Sequence, residues 1–229
     1  MRAGVTMTHQ AVKTEREIGA KIYHAQVVSP SDSSLFAACL RLRYDYFVRE
    51  KGWVKENKEF PGHEQDRYDP FCLHLAVFEG TEPVAYLRVL PHITGLGFML
   101  DHDFARLLSD EARNSLYRDG AIELSRLVCR ANLFRTIRRG HSHPVELLFR
   151  ELYSQSKQRG FAHFYAVVEE AWLKPFCARF CFPFHALEAP YTFPDGTRAV
   201  VASATVADIE TNLQKHSPQK WAWYADSKG

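Results

Sequence analysis

Three charged side chains stand where a strand-like pattern asks for apolar ones. Arg88 interrupts Tyr86-Leu-Arg-Val-Leu90, and Glu123 and Arg126 interrupt Ile122-Glu-Leu-Ser-Arg-Leu-Val128. A charge inside an apolar strand needs a partner, because burying it alone is costly. Opposite charges on neighbouring strands satisfy one another. A carboxylate held among apolar residues is also suited to take a proton in general acid–base chemistry. On a regular strand Glu123 and Ser125 share one face and Arg126 takes the other. A bulge near Ser125 would bring Arg126 round, and bulges are common beside active sites. A structural ion pair, or the solvent face of an edge strand, would use the same residues, so this pattern alone leaves both readings open.

A second group lies upstream. Arg43-Tyr-Asp-Tyr-Phe-Val-Arg-Glu-Lys-Gly-Trp53 combines aromatic and basic residues and is followed by Asp66-Arg-Tyr-Asp69. Read alone, it fits equally an amphipathic helix followed by a solvated loop. Other chemistries lack their motifs: there is no G-x-S-x-G elbow, no Walker-type phosphate loop and no H-E-x-x-H. Gly95-Leu-Gly97 lacks the third glycine of a dinucleotide site. Cys177-x3-Cys181-x3-His185 matches a metal spacing only loosely and reads as packing in a Phe-rich core, so no metal is expected.

The elements that must hold these residues can be read from periodicity. Lys21–Val28 reads as a strand, and Ser29-Pro30 as the start of a helix with a stripe over Leu35–Arg49. Residues 52–72 are rich in Gly, Pro, Asp, Glu and Lys, a long loop of the kind that carries function. Leu73–Phe78 and Val84–Leu90 form a predicted hairpin. Phe104–Tyr117 reads as helical at least in part, and Ala121–Cys129 as a strand. Pro144–Gln158 is the clearest helix, with Pro in its first turn and Gly160 as its stop. Phe161–Val168 reads as a strand and Ala171–Phe180 as a short helix. Phe182–Leu187 with Arg198–Ala204 reads as a closing hairpin. Strands grouped around one central helix–strand pair predict an α+β fold and not a Rossmann alternation. We expect a loose arm over 1–20, one domain over 21–215 and a tail over 216–229.

The 229 residues suit a single domain, and 46% hydrophobic against 24% charged residues is enough for a full core. A net charge of +2 argues for no particular partner, and no nucleic-acid partner is expected. Five cysteines without a framework spacing fit a reducing compartment. With neither a membrane-length apolar run nor a signal-peptide core, the expectation is a cytoplasmic protein.

Taken together the two groups are much more specific than either. They resemble the acyl-homoserine-lactone synthases of the LuxI type, the autoinducer synthases of quorum sensing, a branch of the GNAT-like acyltransferases. That family's pattern of R-x3-F-x5-W, D-x2-D, R in a strand, F, then E-x2-R falls in order on Arg43, Phe47, Trp53, Asp66, Asp69, Arg88, Phe104, Glu123 and Arg126. The resemblance covers about residues 35–205. It implies a GNAT-like domain with a central, mixed, mostly antiparallel twisted sheet flanked by helices. The segment Gly62–His74, and Pro144–Leu148 through Tyr165–Val168, look more like relatives that make N-acyl amino acids, among them the acyltransferases associated with PEP-CTERM/exosortase systems. Homoserine-lactone synthases often carry a Thr around Val167–Glu169 that contacts 3-oxo acyl chains, and no hydroxyl is present here.

The resemblance implies aminolysis of a thioester. Glu123 would accept the amine's proton, directly or through a water, beside Arg126. Arg43, Asp66, Asp69, Arg88 and Arg126 would form a charged cleft for the acceptor's ammonium and carboxylate. Phe47, Trp53 and Phe104 would cover it. Backbone N–H groups at a bulge near Val128 to Arg130 would receive the oxyanion. The acetyl-CoA enzymes of this fold carry Q/R-x-x-G-x-G/A before the central helix, where backbone N–H groups hold a pyrophosphate. Here Arg135 and Gly140 fit that pattern, but Arg138 stands where its first glycine belongs. Arg130, Arg135, Arg138 and Arg139 form a basic patch instead. It suits docking of an acidic acyl carrier protein bearing an acyl-phosphopantetheine, or is a solvated turn.

The leading expectation is therefore an acyl-carrier-dependent N-acyltransferase acting on a small-molecule amine, an amino acid, with no bound cofactor. S-adenosylmethionine as acceptor, giving a homoserine lactone, is the first alternative. A CoA-dependent acetyltransferase and a non-catalytic acyl-binding module are the others.

Overall fold

Alternation along the strands sorts the sheet's side chains onto two faces. The computed structural model describes residues 14–18, 21–130 and 143–226. Strands β1 (Thr14–Ile18), β2 (Lys21–Val28), β3 (Leu73–Glu79), β4 (Glu82–Pro91), β5 (Ala121–Cys129), β6 (His163–Glu169), β7 (His185–Ala186), β8 (Tyr191–Thr192) and β9 (Arg198–Thr205) form one nine-stranded sheet. Its order is β1-β2-β3-β4-β5-β6-β9-β7, with β8 also on β9. Every pair is antiparallel except β5 with β6. This is the mixed, mostly antiparallel α+β sheet expected from the sequence.

Among the described residues the α-helices are α1 (Ser33–Arg43), α2 (Met99–His102), α3 (Asp110–Ser115), α4 (Pro144–Arg159), α5 (Glu170–Phe180), α6 (Val206–His216) and α7 (Pro218–Ala225). On one face of the sheet Leu75, Leu87, Ile122 and Phe164 pack with Leu148 and Leu152 of α4 in the main core. The opposite face is covered in two parts. Near β2–β4, Ala76, Phe78 and Tyr86 pack with Phe36, Cys39 and Leu40 of α1. Near β5–β9, Leu90, Tyr165 and Val201 pack with Phe98, Met99 and Leu100. The charged residues of β4 and β5 lie where these two covers meet.

Helix α4 follows its sequence signals closely. The His143 side chain caps it by accepting from the Val145 N–H at 3.0 Å, Pro144 takes the first turn, and Gly160 ends it at φ 72°. A side chain at Gly160 would meet no atom but would be forced into the left-handed region. We therefore expect Gly160→Ala to cost about 1 kcal/mol, read as a lower urea midpoint with an unchanged slope.

Elsewhere the boundaries moved for local reasons. Ser29-Pro30 does not cap α1. The Ser29 carbonyl accepts from the Asp32 N–H at 2.9 Å to close a turn, and the Asp32 carboxylate then accepts from the Leu35 N–H at 3.3 Å. The stripe over 35–49 is two elements, because from Tyr44 to Glu50 the backbone widens into a π-helix. Phe104–Tyr117 holds a single 3₁₀ turn at Ala105–Leu107 and the short α3. The presumed arm contains β1, whose polar sequence hides a strand fixed by backbone pairing to β2. The presumed tail contains α7, anchored by Tyr224, which is fully buried against Tyr153 and Phe182. The expected closing hairpin exists as β7 on β9.

Candidate active site

Cross-strand register sets the site. His74 of β3 lies opposite Arg88 of β4, and Arg88 opposite Ser125 of β5, so the three form one row on one face. Two residues along, Leu90, Glu123 and Tyr165 form the next row. Between the pairs Tyr86–Val128 and Arg88–Ser125 the register slips, and within this bulge Arg126 has φ 57°. The bulge turns Arg126 onto the face of Arg88, the first of the two readings that the sequence left open. The positive φ is costly for a residue with a Cβ, and the ion pairs of Arg126 offset that strain.

The three arginines meet three carboxylates. Arg43, at the end of α1, donates from Nε to Glu64 Oε2 at 2.6 Å, and from Nη1 and Nη2 to the two Asp69 oxygens at 2.6 and 3.1 Å. Arg88 donates from Nη1 to Asp66 Oδ1 at 2.6 Å and Asp69 Oδ1 at 2.9 Å, from Nε to Ser125 Oγ at 3.0 Å, and from Nη2 to Met99 Sδ at 2.7 Å. Arg126 donates to both Glu64 oxygens at 3.0–3.1 Å and to Asp66 Oδ2 at 3.1 Å. The loop supplies these carboxylates in fixed positions: the Asp66 N–H donates to Asp69 Oδ2 at 2.7 Å, and the Tyr68 N–H to Asp66 Oδ1 at 2.9 Å.

Charge in the network balances, which is what allows it to be buried. Burial by itself would raise the Asp69 carboxyl, but the Arg43 and Arg88 guanidiniums hold it well below the usual carboxylate range. Glu64 is likewise lowered, against burial, by Arg43 and Arg126. Arg43, Arg88, Glu64 and Asp69 are all buried. Only the rim reaches solvent, through the side chains of Asp66 (23% exposed) and Arg126 (14%).

Glu123 differs from the other carboxylates. It is buried and forms no ion pair among the described residues, and its Oε2 accepts from the Leu100 N–H at 3.3 Å. Burial pushes its pKa up to about 8, with the Leu100 N–H and the more distant Arg88 opposing the rise only in part. Near neutral pH it therefore holds a proton that it can exchange with an amine.

Beside these rows the sheet opens. β5 and β6 pair only over Ala121–Leu124 with His163–Ala166, yet continue to Cys129 and Glu169. The strands part at Ser125, leaving a wedge whose walls, Ser125–Leu127 and Val167–Glu169, are half-exposed. On its other side β5 remains paired to β4, and the Arg130 N–H donates to the Val84 carbonyl at 3.0 Å, so that amide is already used.

The remaining predicted residues sit at the edges. Phe47 is buried under Arg126, whose guanidinium lies 5.5 Å from the ring centre. Trp53 is 44% exposed, 6.3 Å from Phe47 and covered by the Lys51 ammonium at 4.9 Å. Lys51 also reaches Glu169, at the end of β6, at 3.9 Å. Phe104 is half-buried in the cluster around Leu90 and Met99 and forms none of the ion network's hydrogen bonds among the described residues. Arg135, Arg138 and Arg139 lie outside the described residues. Arg130, the fourth arginine of that patch, pairs with Glu82 at 2.5 Å. Cys177 and Cys181 pack against the main core.

Sequence reasoning missed Glu64, His74 and Tyr86. His74 and Tyr86 are polar residues in apolar strands, and widening from charge to polarity the criterion that picked out Arg88 would find them. Glu64 lies in a loop with no periodicity to mark it.

Residues 42–139 match the family described as "Acetyltransferase (GNAT) domain". Among solved structures, the chain is similar to the CoA-dependent acyl-homoserine lactone synthase BjaI with SAM and isopentyl-CoA. The identity is 20% over 82% of this chain and 87% of that one, with a TM-score of 0.63. It is similar to TofI in a ternary complex with an inhibitor and MTA, at 21% identity over 84% and 96%, TM-score 0.63. It is also similar to FeeM, an N-acyl amino acid synthase from uncultured soil microbes, at 13% identity over 86% and 99%, TM-score 0.58. No curated protein sequence matches the chain. The fold is that of a GNAT domain, and its structural neighbours include LuxI-type synthases and an N-acyl amino acid synthase.

Proposed function

We propose that this chain, with its GNAT fold, is an N-acyltransferase that moves an acyl group from a phosphopantetheine thioester to the α-amine of an amino acid. The observation that carries the reading is Glu123: a buried carboxyl of raised proton affinity, one row from a rim of opposite charges, where β5 and β6 part. Asp66 offers a carboxylate to the acceptor's ammonium, and Arg126 a guanidinium to its carboxylate. The unpaired backbone edges of the wedge suit the two amides of a pantetheine arm, which would lie between them as a short extra strand. In its ionised form, a minority at neutral pH that grows toward pH 8, Glu123 takes the proton from the ammonium. The freed amine nitrogen bonds to the thioester carbonyl carbon, the C–S bond breaks, and the proton that the nitrogen must then shed to become an amide ends on the leaving thiolate as the free thiol. Backbone N–H groups along the open edge of β5 are positioned to receive the developing oxyanion.

For the donor, an acyl carrier protein is favoured over CoA by Arg138, which stands where a pyrophosphate-binding glycine belongs. For the acceptor, an amino acid is favoured by the Gly62–His74 segment and the missing hydroxyl around Val167–Glu169. S-adenosylmethionine is the second reading, supported by the similarity to BjaI and TofI, whose structures hold SAM and MTA.

Mass spectrometry separates the two acceptors. In lipid extracts of cells expressing the protein we expect N-acyl amino acids, absent from cells expressing Glu123→Gln. Purified protein given an octanoyl- or palmitoyl-carrier thioester and mixed amino acids should release thiol without S-adenosylmethionine. Release that requires S-adenosylmethionine, with methylthioadenosine appearing in step, would overturn the amino-acid reading.

A further inference from the structure

Behind the charged rim lies a closed ring of hydrogen bonds that the acyl-transfer chemistry does not use directly. His74 Nε2 is 2.9 Å from the Asp69 main-chain carbonyl, and its Nδ1 is 2.6 Å from the Tyr86 hydroxyl. The Tyr86 oxygen in turn is 3.3 Å from Arg43 Nη1. All four residues are buried. A carbonyl can only accept, so Nε2 must carry the hydrogen. Burial lowers the His74 pKa to about 4, so the ring is neutral and Nδ1 is a bare acceptor. Tyr86 therefore donates to Nδ1 and accepts from Arg43. The direction of every bond is thus fixed: Arg43 to Tyr86, Tyr86 to His74, His74 to the Asp69 backbone. The Asp69 side chain closes the ring by taking Arg43 on both oxygens.

Asp69 is the node through which this ring meets the rim. Its Oδ2 holds the Asp66 main-chain N–H and its Oδ1 holds Arg88. Asp66 in turn binds Arg126. The groups facing His74 are Tyr86 and Arg88 from β4, Asp69 from the loop, Arg43 from α1, and the edge-on Phe36 ring at 4.8 Å. None of these offers Nδ1 another hydrogen-bond donor that the structure uses.

We infer that His74 and Tyr86 are positioning residues: through Asp69 they hold Asp66 and Arg126 in the geometry that receives the amine acceptor. This rests on the acyl-transfer reading above. Both side chains are fully buried behind the rim, so their loss should weaken acceptor binding and leave the chemical step largely intact.

Two arms test this, one of them independent of activity. In the ¹⁵N-labelled wild-type protein, the His74 ring should show the Nε2–H tautomer with an unprotonated Nδ1, unchanged from about pH 5 to 8. An Nδ1–H tautomer, or an imidazolium in that range, would overturn the inference. In the kinetic arm, Tyr86→Phe keeps the ring and deletes only the hydroxyl. Its KM for the amine should rise roughly tenfold, with kcat within about threefold and the donor KM unchanged. His74→Gln can still donate an N–H to the Asp69 carbonyl and should stay within about threefold of wild type. His74→Leu cannot, and should match or exceed the loss in Tyr86→Phe. An unchanged acceptor KM in Tyr86→Phe, with only a lower unfolding midpoint, would show a purely structural role and overturn the inference. Absence of amine-dependent thiol release by the wild type would instead sink the acyl-transfer reading, and the tautomer would still decide whether the ring exists.

Discussion

Glu123→Gln is expected to lower turnover by roughly a hundredfold or more while leaving the protein folded, the usual scale for losing a general base. Glutamine keeps the size of the side chain and cannot take a proton. It also removes a liability. Burial raises the Glu123 pKa to about 8, against about 4.3 for an unperturbed glutamate. The folded state therefore holds a proton that the unfolded chain has already shed at neutral pH. The stabilisation from that tighter proton binding is fully present below about pH 4 and is lost as pH rises through about 8. Glutamine has no charge to bury, so the variant should be as stable as wild type at acid pH and more stable near pH 9. Thiol release and urea midpoints at the two pH values measure both effects. Wild-type turnover in a folded variant would remove Glu123 from the mechanism. A variant less stable than wild type at pH 9 would contradict the buried, proton-holding state assigned to it.

The largest loss of stability is expected from Asp69→Ala. That carboxylate takes Arg43 on both oxygens and Arg88 on one, and neither guanidinium can reach water. Removing one partner of a buried ionic network leaves charge uncompensated, which costs about 3–5 kcal/mol. That is a fifth or more of the stability of an ordinary domain. Arg49–Asp45 is the control: it is a well-formed pair on exposed side chains, and its loss should cost no more than about 0.5 kcal/mol. The pH dependence follows from the same network. The folded-state Asp69 and Glu64 pKa values are depressed, so their contribution is present above the unfolded carboxylate range of about 4 and is lost as pH falls through the folded values. Chemical unfolding of Asp69→Ala and of Asp45→Ala should separate the two cases clearly. A midpoint for Asp69→Ala close to wild type would mean that the network is not the keystone described here.

Much of this architecture could be read from the residues because the signals were local. Strand β5 was legible over its full length from its apolar run, and α4 from Pro144 and Gly160 at its ends. The bulge at Arg126 is one of the two readings that its place on the regular strand allows, and pairing with Glu64 and Asp66 decides between them. What could not be read depends on contacts distant in sequence. Strand β1 is specified by backbone pairing to β2 and not by its own polar residues. Helix α7 is specified by Tyr224 finding a slot beside Tyr153 and Phe182. Glu64 acquires its role only once the loop folds back on α1, where its N–H also donates to the Leu40 carbonyl at 3.1 Å. The resemblance implies that Arg43 and Arg88 line a covered cleft that binds the acceptor. In the structure both are buried and neutralised, and the open rim falls to Asp66 and Arg126, a distinction of burial that spacing alone does not carry.

The central claim is that Glu123 and the charged rim serve aminolysis of a thioester. Its most direct test is thiol release from an octanoyl-carrier thioester by the purified full chain, followed with and without an amino-acid acceptor across about pH 6 to 9. We predict release that depends on the amine, rises with pH toward the range where Glu123 and the α-amine shed their protons, and is lost in Glu123→Gln. Release that ignores the amine, or that is as fast in Glu123→Gln as in wild type, would contradict it.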